Sequence, residues 1–143
     1  MDERRLFPAS IVDDITYCMD RAHNDLSINY AWILTLEGEV STEACQEALD
    51  DTLNYYPKSK CILTNNYSSY KRWFQHCWEY TDVTGKDIFE ELTVTDSPFT
   101  SEEAVNYYVN HHARFSTDLA SHVPLKVVLM RTSQKVFLFF IMF

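Results

Sequence analysis

Glycine is nearly absent from this chain, with Gly38 and Gly85 the only two among 143 residues. So few glycines exclude the loops that cradle phosphates with close-approaching backbone, and neither a GxGxxG nor a P-loop string occurs. Positive charge is also scarce: 12 Lys and Arg stand against 21 Asp and Glu, a formal net charge of −9. Residues 1–57 hold 12 of the acidic and 3 of the basic side chains, whereas residues 58–143 hold 9 of each, so the acidity belongs to the N-terminal part. An acidic surface repels phosphate backbones and anionic lipid, which argues against nucleic acid and membrane surfaces as partners. The four cysteines, Cys18, Cys45, Cys61 and Cys77, include no CxxC pair, so neither a zinc ribbon nor a thioredoxin motif is present and reduced structural thiols are expected. The start, "MDERRLFPAS", lacks the basic-then-apolar order of a secretory signal, and no apolar run approaches the ~20 residues of a membrane span. The cytoplasm is the expected compartment.

What is present reads as one α+β unit without repeat, low-complexity tract or linker. Ser10 is a suitable N-cap for a short helix to about Arg21, with Ile11, Ile15, Cys18 and Met19 near helical spacing. "SINYAWILTLEGEV" is rich in β-branched and aromatic residues and predicts a half-to-fully buried strand closing at Glu37-Gly38. A helix capped by Ser41 follows, with Ala44, Cys45, Ala48, Leu49 and Thr52 on its apolar face and Pro57 at its stop. "KCILTNN" and "YKRWFQHCWEY" predict two strands about a turn-rich "NNYSS", while residues 81–99 show no clear pattern. Thr100 and Glu103 form a capping-box pair ahead of Ala104, Val105, Tyr108 and Val109, which predicts a further helix. "PLKVVLMRTSQKVFLFFIMF" then predicts a hairpin turning at Ser133-Gln134, and its second strand, without a polar residue after Lys135, should be buried on both faces. A chain ending on an interior strand predicts either a missing continuation or a second chain covering Phe137–Phe143.

Candidate reactive groups are few. His111, His112 and Asp118 lie in "NHHARFSTD", but neighbours on a helix project about 100° apart, so the two imidazoles should not converge on a metal or substrate. Cys77 adjoins His76, yet adjacent strand residues point to opposite faces and cannot readily form a Cys–His dyad. His23, His76 and His122 have no partners at zinc-ligand spacing, and the Trp and Tyr residues, including Trp32, Trp73, Trp78 and Tyr107-Tyr108, are expected in the core.

Three stretches carry a family resemblance. "LFPASIVDDITYCMDRA", "LTLEGEVSTEACQEALDDTLNYYPKSKCIL" and "VPLKVVLMRTSQKVFLFFIMF" resemble, in this order, segments from the N-terminal part of condensation-type acyltransferases. These share the chloramphenicol acetyltransferase fold with nonribosomal peptide condensation domains, alcohol acetyltransferases and wax ester synthase-like enzymes. The resemblance covers most of the 143 residues, with residues 65–110 matching by element order only. It implies an α+β, two-layer lobe of that fold, a mixed or antiparallel sheet with packed helices, and makes residues 1–143 a single partial domain. It also implies that the family's HHxxxDG signature, whose second histidine acts as general base, would begin just after Phe143. No catalytic residue is therefore expected within the chain.

In "YPKSK", Tyr56 stands where the family has histidine, Ser59 where it has leucine, and Lys60 where it has the arginine that pairs with the signature's aspartate. Lysine supplies charge without a bidentate fork; the plainer expectation for Lys60 is a solvated side chain at the start of a strand. The implied parent enzyme moves an acyl group from a coenzyme A or phosphopantetheinyl carrier thioester to an amine or alcohol. It needs no tightly bound cofactor and takes a C-terminal lobe, and an acyl or peptidyl carrier protein, as partners. The alternative expectation is a complete, non-catalytic α+β interaction module whose C-terminal strand is covered by a partner chain.

Overall fold

The computed structural model describes residues 6–10, 12–15, 30–64, 76–94, 100–112 and 118–142. Among the described residues, seven strands lie in two sheets. β1 (Leu6–Pro8), β3 (Cys61–Thr64) and β4 (Cys77–Tyr80) form an antiparallel sheet in the order β1-β4-β3. β2 (Tyr30–Leu36), β5 (Phe89–Thr93), β6 (Leu125–Arg131) and β7 (Val136–Met142) form a mixed sheet in the order β2-β7-β6-β5, in which β5 runs parallel to β6. Among the described residues, the helices that follow a helical segment at 12–15 are α1 (Thr42–Tyr55), the short α2 (Gly85–Ile88) and α3 (Ser101–His112), with a 3₁₀ turn at Pro57–Lys60. None of the described helices is long and apolar enough to cross a membrane.

Local chemistry sets the helix starts. Ser10 and Asp13 exchange hydrogen bonds, the Ser10 amide to the carboxylate at 2.7 Å and the Asp13 amide to the hydroxyl at 3.1 Å, and residues 12–15 are helical. The Ser41 hydroxyl accepts from the Ala44 amide at 3.2 Å at the head of α1, and Thr100 and Glu103 reciprocate at the head of α3. The remainder of the expected first helix, with Ile11, Cys18 and Met19, lies outside the described residues, as do His23 and Trp73.

β7 is the axis of the mixed sheet, hydrogen-bonded along its whole length to β2 on one side and β6 on the other. Phe137, Phe139 and Ile141 point to the face covered by α3, where they meet Ala104, Tyr108, Val128 and Met130. Leu138 and Phe140 point to the opposite face, where α1 contributes Leu49 and Leu53 beside Val127. One face of β7 is thus fully buried and the other partly so. The run expected to need a cover from outside is flanked by this chain's own β2 and β6.

Two expectations are corrected here. β2 is not buried but is the sheet's edge: Tyr30, Trp32, Ile33 and Leu34 are 64, 65, 41 and 45% exposed, because α1 packs over the sheet interior and leaves β2 outside. Trp32 is accordingly a surface residue; Tyr107, on α3, is also exposed, whereas its neighbour Tyr108 is buried. On α1 the buried stripe is Leu49 and Leu53, one turn apart, while Ala44, Ala48 and Thr52 are exposed. A first turn rotated toward Cys45 and Gln46 brings Leu49 over α2, whose Gly85 sits so close that a Cβ there would meet the Gln46 carbonyl oxygen at 2.5 Å.

Candidate functional site

The segment that showed no sequence pattern builds most of the site. After β4, Thr81–Val83 lead into α2, where Asp87 accepts from the Thr84 amide at 2.8 Å and its hydroxyl at 2.7 Å, a capping box that turns the chain into β5. Opposite, Asp118 closes a tight turn by accepting from the Ala120 amide at 3.2 Å and the Ser121 hydroxyl at 2.9 Å, and the chain then enters β6. Between these two turns lies an open cavity of about 1010 Å³. It wraps the end of the mixed sheet at which β5 and β6 begin and β7 finishes, and Phe89, Leu125 and Ile141 all line it.

The cavity walls are apolar, from Ile62, Val83, Ile88 and Val123, and its rim is acidic. Of the ionisable groups lining it, Glu90 and Lys126 pair across β5 and β6 at 2.5 Å, which leaves Asp82, Asp87 and Asp118 as the rim's surplus charge. The Thr84 hydroxyl and amide hold the Asp87 carboxyl below the ordinary value. At the cavity's inner wall, burial first and the Glu90 charge second push the Tyr108 phenol far above its ordinary range, so it stays protonated.

Lys60 lies one layer behind. It is only 8% exposed, at the end of the 3₁₀ turn, and its ammonium donates to Asn54 Oδ1 at 2.8 Å. The solvated side chain expected here is therefore wrong: the turn after Pro57 folds the lysine stem back along α1. Its carbonyl oxygen accepts from the Thr81 amide at 3.0 Å and the Thr81 hydroxyl at 2.5 Å, which ties it to the cavity wall.

The remaining candidates do not assemble. His111 and His112 are the last two residues of α3, in sequence order on one helix turn. His76 is buried against Asp14, with Nδ1 and Oδ1 2.7 Å apart, and Cys77 begins β4 beside it; the Cys61 thiol is pushed up by burial and donates to the Pro57 carbonyl. His122 and Asp118 line the cavity, which spacing did not indicate. Asp82, Glu90 and Lys126 were also missed, since their meeting depends on the parallel β5–β6 pair. Among the described residues, no group of three or more His, Cys, Asp or Glu side chains is placed to hold a metal ion.

No family profile and no curated protein matches this chain. Solved structures do. The starter condensation domain of rhizomide synthetase RzmA matches with a TM-score of 0.76 at 10% identity, covering 96% of this chain and 33% of that one. The condensation domain of Monacolin K polyketide synthase MokA gives 0.68 at 16% identity, over 96% and 30%. The epimerization domain from the third module of tyrocidine synthetase B gives 0.69 at 12%, over 97% and 30%. The fold is the α+β fold of condensation domains, and the chain spans about a third of the length of the structures it matches.

Proposed function

We propose that this chain, folded as condensation domains are, is the N-terminal lobe of a condensation-type acyltransferase working in the cytoplasm. The enzyme transfers an acyl group from a coenzyme A or carrier-protein thioester to an amine or alcohol. The observation that carries the reading is the placement of β7: central in a sheet matched to condensation domains, it delivers its last residues to the wall of a 1010 Å³ cavity. The free thiols Cys45, Cys61 and Cys77 fit a reducing compartment.

Acyl transfer joins the acceptor nitrogen or oxygen to the thioester carbonyl, then expels the thiolate. It requires a base for the acceptor's proton and a donor for the oxyanion. On this reading the base is the second histidine of an HHxxxDG segment following β7, and the cavity is one half of a chamber closed by a C-terminal lobe. Lys60, behind Thr81, pairs with that segment's aspartate, where its single ammonium supplies charge with less directional control than a guanidinium. The thioester is a substrate; no resident cofactor is called for, and a carrier protein is the natural partner. The alternative, a complete interaction module needing a partner over its last strand, loses its motive because β2 and β6 already flank that strand.

The test compares the 143-residue chain with the product of its reading frame carried past Phe143. Thiol release from acyl-pantetheine is followed with a panel of amines and alcohols. The expected result is no turnover by the shorter chain and turnover by the longer one, abolished by replacing its second motif histidine. Turnover by the 143 residues alone, or a continuation without the paired histidines, refutes the proposal.

A further inference from the structure

Edge strands of soluble proteins are ordinarily blunted by a charge, a proline or a bulge. β2 has none of these. Its sequence, YAWILTL, contains no charged residue and no proline, and its seven residues pair with β7 without interruption. Its other edge carries no strand among the described residues. Tyr30, Trp32 and Leu34 lie on the sheet face of Phe140 and Leu138, and Ile33 lies on the face of Phe139, all four substantially open.

We infer that this edge is a self-association surface, taken up by β2 of a second copy of the chain in antiparallel register about a two-fold axis through Ile33. In that register Trp32 of each copy meets Leu34 of the other, Tyr30 meets Leu36, Ala31 meets Thr35 and Ile33 meets itself, so every cross-strand pair is uncharged and most are apolar. Charge selects the direction. Glu37 and Glu39 follow β2 at one end, so antiparallel pairing holds the two sets at opposite ends of the joint, whereas parallel pairing would set like against like.

The area is adequate for a weak, closed dimer. An aromatic side chain buries roughly 150–250 Å², so Tyr30 and Trp32, about two-thirds exposed, offer roughly 400–650 Å² over two copies. Ile33, Leu34 and the strand backbone bring the open area at this edge near the ~1,000 Å² lower bound for a specific interface, and since edge pairing covers only the flanks of side chains that stand off the sheet, the dimer is a weak one. The inference goes beyond the acyltransferase reading and does not depend on it.

Sedimentation velocity on the purified chain across a concentration series tests it. The expected result is a monomer–dimer equilibrium that tightens with added salt, because each copy carries −9 and screening relieves their repulsion. Trp32→Glu, at an exposed position, should weaken association by about tenfold or more. Ile33→Cys should cross-link to a covalent dimer under mild oxidation while Tyr55→Cys, 76% exposed on α1, does not. Amide exchange of the unmodified chain provides a measurement without substitution: protection in β2 should rise with concentration. A concentration-independent monomer overturns the inference. So does a dimer that is indifferent to Trp32→Glu, cross-links equally well through Tyr55→Cys, or leaves β2 exchange unchanged.

Discussion

Replacing Phe139 by alanine removes the side chain on which the mixed sheet and α3 close. Phe139 is fully buried, its ring lies 5.2 Å from that of Tyr108 at 51°, and it is held in register between Ile33 on β2 and Val128 on β6. Losing a buried phenylalanine costs about 3–5 kcal/mol, of which the tilted ring pair accounts for about 0.5–1.5. Against a total of about 5–15 kcal/mol for a domain, that is a large share. Urea unfolding followed by far-UV circular dichroism measures it: with a slope of about 1–3 kcal/mol per molar, the midpoint should fall by more than about 1 M. Met142→Ala, three residues along the same strand and 38% exposed, is the internal control and should cost under about 1 kcal/mol. Equal losses from the two substitutions, or a loss under about 1 kcal/mol from Phe139→Ala, would refute the packing of β7 between α3 and its neighbouring strands.

Lys60→Met, which keeps the buried stem and removes the charge, should leave the isolated chain within about 1 kcal/mol of its starting stability. Asn54→Ala, which takes away the ammonium's acceptor, should cost about 0.5–1.5 kcal/mol by the same urea assay. Arg131 binds Glu91 through Nε and both the Val40 carbonyl and the Thr42 hydroxyl through one terminal nitrogen; Arg131→Lys, unable to span the three, should lose about 1–2 kcal/mol in thermal unfolding. Acid should destabilise the chain in a defined window. Burial pushes the Asp13 carboxyl up, but bonds from the Ser10 amide, the Trp78 indole and the Ser10 hydroxyl outweigh it and hold the group below 3.8. The Arg131 and Thr42 bonds lower Glu91 likewise. A depressed carboxyl stabilises the fold above its unfolded value and loses that contribution as pH falls through the folded one. The melting temperature should therefore drop below the ordinary carboxylate range, and Asp13→Asn should make that acid limb shallower.

The features legible in the sequence were those decided within a few residues. Ser10, Ser41 and the Thr100–Glu103 pair announced helix starts because a capping hydroxyl or carboxylate satisfies amides two or three residues away. The hairpin about Ser133-Gln134 was likewise local, and the wholly apolar β7 could only be an interior strand. Less visible was the helix-and-strand unit at 85–93: four residues of α2 are too few to show a period, and β5 is specified by its parallel neighbour β6 rather than by its own alternation. Lys60 and Trp32 were misjudged in opposite directions for one reason. Residue type predicts average burial, whereas a lysine stem folded against α1 and an indole on an edge strand depend on which element stands next to them.

By itself, then, the sequence determined the α+β class, the order of its principal elements, their caps and the central character of β7, since these follow from periodicity, turn chemistry and hydrophobicity along the chain. Tertiary structure alone decided how the seven described strands divide between two sheets, that β2 lies at the edge among them, and that Asp82, Glu90, Asp118, His122 and Lys126 gather around one cavity. Those outcomes rest on contacts between residues tens of positions apart, where the free energy belongs to the pairing and to neither partner's local sequence.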